Sequence, residues 1–228
     1  MKRFFFLIAS LLLVSCAALP AIRPQAGPDE KNIVCPSPFL TEKTRLIHAI
    51  EVRAAGRAQT VIIGVTLADP ALRTLSCALM SAEGMSFFEA VSDSSGLKVN
   101  RALPPFDAAD FARNMMNDIE LIFFAPRSAP ARKGVLAEGD RVCRWHQEKG
   151  GWLDVSKSRD EQIHIRHYSE DGGLKRSVML DGKAADPYST IELQASEMVD
   201  YTLVMTLIES EAVKDEPQIT GKIQGAHP

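Results

Sequence analysis

Nowhere in this chain do basic residues form a block or a stripe interleaved with aromatics. Lys and Arg number 26 against 29 Asp and Glu, for a formal net charge of −3. Nucleic acid is therefore excluded as a partner, since its phosphates need cations gathered on one face. Cysteine is scarce as well: the four are Cys16, Cys35, Cys77 and Cys143, and their spacing fits no metal motif and no C-x-x-C pair. The usual marks of reaction chemistry are missing too. There is no G-x-S-x-G turn to expose a nucleophile, no H-E-x-x-H zinc helix and no glycine-rich phosphate loop. His164 and His167 stand three apart in a strand and so point to opposite faces, as do Cys143 and His146. His48, alternating with Leu46 and Ile50, reads as a core histidine rather than a base. The expectation is a protein that is not an enzyme and uses no cofactor or metal.

The N-terminal apolar run is too short for a comfortable membrane span. Lys2 and Arg3 precede Phe4–Ile8 and Leu11–Val14, which is the layout of an export signal. It ends in Leu13-Val14-Ser15-Cys16, which resembles a bacterial lipobox. The resemblance implies cleavage after residue 15 and a diacylglyceryl group on the Cys16 thiol. Several acyl chains hold a protein on a bilayer where one would let go, at about 0.8 kcal/mol per buried methylene. Ala17, where an aspartate would signal retention at the inner membrane, points to an outer-membrane lipoprotein facing the periplasm. Losing Lys2 and Arg3 leaves the mature chain more acidic than the full one. Residues 16–43 then read as the lipidated cysteine and a Pro/Ala-rich linker, with Pro20, Pro24, Pro28 and Pro36. Fully extended, such a linker holds the folded part on the order of 60 Å from the lipid. In an oxidising compartment Cys35, Cys77 and Cys143 admit one disulfide plus one free thiol, and Cys77 and Cys143 equally read as small buried hydrophobes.

The body of the chain, 44–209, alternates with period two through about eleven short strands. Leu46, His48, Ile50 and Val52 mark the first; Val61, Ile63, Val65 and Leu67 line one face of the second. Tight turns at Ala82-Glu83-Gly84, Asp93–Gly96, Lys149-Gly150-Gly151, Asp171-Gly172-Gly173 and Asp181-Gly182-Lys183 connect neighbours, the pattern of an antiparallel meander curling into a barrel or half-barrel. Ser128–Gly134 reads as a basic, proline-containing loop. One stretch breaks the pattern: in 107–124 Ala108, Phe111, Ala112, Met115, Met116, Ile119, Ile122 and Phe123 recur at three and four. Asp107 reads as its N-cap and Ala125-Pro126 as its stop, while Asp110, Arg113, Asn114, Asn117 and Asp118 take the opposite side. Such a helix either closes a filled core or covers a greasy cavity. From 210 to 228 the chain shows no periodicity and reads as a disordered tail.

A lipobox, five strands, Arg101-Ala102-Leu103-Pro104-Pro105, the helix, and a closing strand from Tyr201 to Leu207 follow in an order that resembles uncharacterised bacterial lipoproteins of aryl polyene and related lipid gene clusters. These are similar to the LolA/LolB lipoprotein-localisation fold. The resemblance implies a mainly β (α+β) chain, an open antiparallel half-barrel with a helical lid over an apolar face that receives acyl chains. On that reading Phe111, Met115, Ile119 and Ile122 form the lid, and Val61, Ile63, Val65, Leu75, Leu79, Phe87, Leu203 and Met205 line the cavity. The turn Ser81–Gly84 departs from the LolB pattern in lacking a protruding apolar residue. The function implied is binding and transfer of a hydrophobic or acylated molecule (lipid, lipoprotein or polyene-lipid) without catalysis. The partners implied are the membrane, held through the N-terminal acyl chains, and a periplasmic carrier or envelope complex protein. The alternative is a non-catalytic structural or assembly module of an envelope complex.

Overall fold

The computed structural model describes residues 19–24, 34–54, 57–148, 150–181, 188–196 and 200–214. Residues 1–15, Cys16, the turns expected at Ala55-Gly56 and Gly182-Lys183, and the tail from 215 lie outside the described residues. Strands β1 (Thr44–Ala54), β2 (Arg57–Asp69), β3 (Thr74–Met80), β4 (Ser86–Asp93) and β5 (Gly96–Ala102) form a first meander, followed by one helix, α1 (Phe111–Phe123). A second meander comprises β6 (Arg132–Val135), β7 (Arg141–His146), β8 (Trp152–Lys157), β9 (Ile163–Tyr168), β10 (Leu174–Leu180), β11 (Thr190–Ala195) and β12 (Tyr201–Ala212). All belong to one sheet, ordered β5-β4-β3-β2-β1-β12-β11-β10-β9-β8-β7-β6. β1 and β12 join the two meanders, pairing from Thr44 with Ala212 to Ala54 with Tyr201. β5 and β6 remain as the two edges, so the sheet is open, and α1 carries the chain from one edge to the other.

This is the expected fold class with one strand more than expected. The addition is β6, four residues that begin within what reads as a loop, too short for alternation to mark it. β12 also passes the expected boundary at 209. Ser210, Glu211 and Ala212 pair with Leu46, Arg45 and Thr44, and Arg45 bridges Glu209 and Glu211 at 2.6 and 2.8 Å.

The inner face of the sheet carries the core. Leu46, Ile62, Leu75, Leu79, Phe88, Val155, Ile165, Val178, Ile191 and Leu193 are buried there, and α1 lies on them. Met116, Ile119, Ile122 and Phe123 of the helix are buried, with Phe111, Ala112 and Met115 packed against the same cluster. Phe111 meets Phe88 edge-on at 5.3 Å, and Phe123 meets Tyr188 at 5.2 Å. At about 1.5–3 kcal/mol for each large side chain buried, this stripe holds α1 down without a cap. A cap is indeed lacking: the N-cap is Asp110, whose side chain makes no capping hydrogen bond. The expected cap, Asp107, lies before the helix. Phe106 N–H donates to the Leu103 carbonyl at 2.8 Å, and its ring packs on Phe87 and Phe111, so 103–110 is spent in turns. The far end falls as expected, Phe124 turning extended before Ala125-Pro126.

The linker is not a free spacer where it is described. Arg23 exchanges two backbone hydrogen bonds of 2.9 Å with Val135 of β6. Gly134 permits this approach, since a Cβ there would stand 2.2 Å from the Arg23 carbonyl oxygen. Arg144 donates to the Pro20 carbonyl at 2.9 Å, and its guanidinium forks onto Asp154 with two bonds of 2.6 Å. Further along, Cys35 is bridged to Cys143 in β7, Leu40 N–H donates to the Phe123 carbonyl at 3.0 Å, and the Tyr188 hydroxyl donates to the Pro38 carbonyl. Among the described residues Cys77 is the free thiol, and burial pushes it up to about 12. Of the two readings open for the cysteines, Cys35 and Cys143 take the disulfide and Cys77 the buried apolar place.

Candidate functional site: the helix, its latch and the cleft beside it

The residues expected to line a cavity divide by face. Leu75, Leu79, Leu203 and Met205 do lie on the inner face with Phe111, Met115, Ile119 and Ile122. Val61, Ile63 and Val65 do not. Val61 is 62% exposed, and the inner side of β2 is taken by Ile62, Gly64, Thr66 and Ala68. Both faces of β2 are largely apolar, so alternation alone does not choose between them. The ladder does, placing Ile62 opposite Ile50, Gly64 opposite His48 and Thr66 opposite Leu46. The same error of one residue affects Phe87, which stacks on Phe106 at 6.0 Å while its neighbour Phe88 enters the core. The turn Ser81–Gly84, read as lacking an apolar tip, is followed at once by Met85, 57% exposed.

The largest departure from the sequence reading is Asp118. Placed there on the polar side of the helix, it is instead 6% exposed and faces the sheet. Arg176 of β10, 7% exposed, donates from Nε to Asp118 Oδ1 at 2.7 Å, and the Tyr201 hydroxyl of β12 donates to Oδ2 at 2.7 Å. A buried carboxylate is tolerable only when paired in this way. The middle of α1 is thus latched to the second meander by a charge-assisted pair. Its C-terminal end is held by the first. Arg73, in the turn between β2 and β3, reaches the Glu120 carboxylate, donates to the Ala125 carbonyl at 3.0 Å and lies over the Phe124 ring at 4.9 Å. A cation at the last turn of a helix also meets the negative end of its dipole. Arg73 does this from φ +51°, a left-handed backbone that a side chain other than glycine adopts at a cost.

Beside the latch opens a cleft of about 530 Å³, within the usual range for small-molecule sites. Asn114, Asn117 and Leu121 of α1 and the following Ala125–Ser128 form one wall; Leu153, His167 and Arg176 form the other. The end of β7 and the turn after it close the end with His146, Gln147 and Glu148. His146 Nε2 lies 3.0 Å from Glu170 Oε1 and its ring stands edge-on to Trp152 at 4.9 Å. The backbone N–H of Gly151, and then His146, hold the Glu170 carboxyl below its usual range. Polar and apolar groups share the lining, and two of its arginines, Arg73 and Arg176, are matched by Glu120 and Asp118. Of the residues expected to bind ligand, Leu75 reaches this cleft; the others form the packed interface next to it. Among the described residues no group of three or more His, Cys, Asp or Glu side chains is placed to hold a metal ion, and no helix is long and apolar enough to cross a membrane.

The architecture is an open antiparallel sheet bearing a helix pinned across its inner face, and its fold is LolA-like. The chain is similar in structure to the LolA superfamily protein NE2245 from Nitrosomonas europaea, with a TM-score of 0.50 at 11% sequence identity, over 78% of this chain and 89% of that one. No protein-family model matches the sequence, and no curated protein matches it.

Proposed function

We propose that this protein is a non-catalytic carrier or acceptor of a hydrophobic or acylated molecule in the periplasm, tethered to the outer membrane through acyl chains on Cys16. The observation that carries the reading is the arrangement of α1: an amphipathic helix, latched to the sheet by the buried Asp118–Arg176 pair and held at its end by Arg73, beside a half-polar cleft. A lipid-like molecule has a polar end suited to the cleft and an apolar part suited to the interface of Phe111, Met115, Ile119 and Ile122 with the sheet. The fold supports this reading, as does the Cys35–Cys143 disulfide, which suits an oxidising compartment.

The test uses the acyl-free chain from Ala17 onward and an acyl fluorophore. Leu121→Glu in the cleft wall weakens binding by at least about tenfold, an effect read on chain shown by circular dichroism to be folded because Leu121 also packs against the core, and Phe111→Asp abolishes binding. Equal affinity in well-folded Leu121→Glu and in the original chain places the ligand elsewhere.

A second reading has its own observation. The interface under α1 is filled by its own side chains, as a tethered assembly module with a solid core requires. Native mass spectrometry separates the two readings, because a module gives a stable protein partner and no bound lipid.

A further inference from the structure

The docked linker changes where a membrane anchor leads. Pro20 and Arg23 are held at the β6 edge, so only Ala17, Ala18 and Leu19 separate Cys16 from chain that is fixed to the sheet. Four peptide steps reach about 14 Å at full extension. A leash with that upper limit lets the edge come within the Debye length of about 8 Å at physiological salt, the distance over which charged lipid acts on charged protein. What stands at this edge therefore matters. Arg23, Arg132, Lys133 and Arg141 are all exposed there, against Glu138 and Asp140 on the turn between β6 and β7. Arg132 falls on the outer face, opposite Arg144, and Lys133 on the inner, opposite Cys143, so cations flank the edge on both sides.

We propose that the edge made by Leu19–Pro24, β6 and β7 is a bilayer-facing surface that lies against anionic phospholipid headgroups and orients the whole sheet edge-on to the membrane. The inference rests on acylation of Cys16. The short leash supplies proximity, and the cations supply orientation, each strengthening attraction to anionic lipid roughly fivefold. The opposite edge strand, β5, also carries Lys98 and Arg101, but nothing fixes it near a lipid anchor. The wall of the cleft at Ala125–Ser128 runs within a few residues into β6, so this orientation sets the cleft's rim beside the bilayer. A ligand then passes between cleft and membrane over a short path.

The experiment uses the acylated mature chain in phosphatidylcholine vesicles with or without phosphatidylglycerol and with a headgroup-borne quencher. Of the native cysteines after Cys16, two are bridged and Cys77 is buried, so one added cysteine takes a fluorophore cleanly. A label at Ala131→Cys, beside β6, is strongly quenched when phosphatidylglycerol is present, whereas one at Met85→Cys is not. Arg132→Glu with Arg141→Glu lowers quenching at Ala131→Cys to the level at Met85→Cys. An acylated, vesicle-bound chain quenched equally at both sites, or more at Met85→Cys, overturns the orientation and leaves the carrier reading standing. Quenching at Ala131→Cys that survives the charge reversal overturns the role given to the cations. A Cys16 peptide without acyl mass overturns the anchor and this surface together.

Discussion

Asp118→Ala is the most informative single change. It leaves the Arg176 guanidinium 7% exposed, with its carboxylate partner gone, and leaves the Tyr201 hydroxyl without the acceptor it now uses. Breaking one side of a buried pair costs about 3–5 kcal/mol, most of it the burden of the charge left behind. The apolar stripe of α1 is untouched, so the fold survives while the helix is held less tightly. With urea m-values of about 1–3 kcal/mol/M for small proteins, the loss moves the unfolding midpoint down by about 1 M or more. Hydrogen exchange in α1 accelerates more than about a hundredfold if the latch controls local opening. Replacing both partners, as Asp118→Leu with Arg176→Met, restores most of the stability, because two buried charges are exchanged for apolar packing. The reasoning is refuted if Asp118→Ala shifts stability by less than about 1 kcal/mol, or if the double replacement is worse than the single one. Either result means that water reaches the pair.

Other perturbations test separate parts of the structure. Removing the disulfide with Cys35→Ser and Cys143→Ala opens a link across 108 residues. The chain-entropy model puts the loss at about 4–5 kcal/mol, to be read by denaturant titration. Cys77, buried and pushed up to about 12, resists iodoacetamide in the native protein and reacts once it is unfolded, as mass spectrometry will report. His164 is held below its ordinary value of 6.5, first by burial and then by Arg166. The unfolded chain therefore binds more protons just under that value, so stability falls as pH drops below about 6.5, and His164→Gln flattens that part of the curve. Gly134→Val forces Ile22 and Arg23 off β6, with faster proteolysis near Pro24 as the readout.

Much of the sheet was legible because alternation and turn chemistry agree along it, and β1, β3 and the closing strand were read on the correct face. Where both faces of a strand are apolar, as at Val61–Val65, one sequence holds no information about which side turns inward; the ladder with β1 supplies it. The helix was legible from its period. Its first turn was not, because Asp107 has the chemistry of a cap and only the packing of Phe106 shows that the chain is still turning. The latch did leave a trace. Asp118 stands three after Met115 and four before Ile122, on the apolar stripe, and Arg176 stands two before Val178 in a row of inward residues. A lone acid on one greasy face and a lone base on another is a pair seeking each other. The docking of the linker left little trace in sequence beyond Gly134, since proline-rich chain reads as slack whether or not something holds it.

The path of the chain through α1 constrains how any uncovering takes place. Its approach leaves one rim of the sheet at β5, and its exit enters the other at β6, so the cover is moored at both banks like a span between abutments. Such a span cannot swing aside as a flap does. It can only arch upward, by as much slack as residues 103–110 and 124–131 yield.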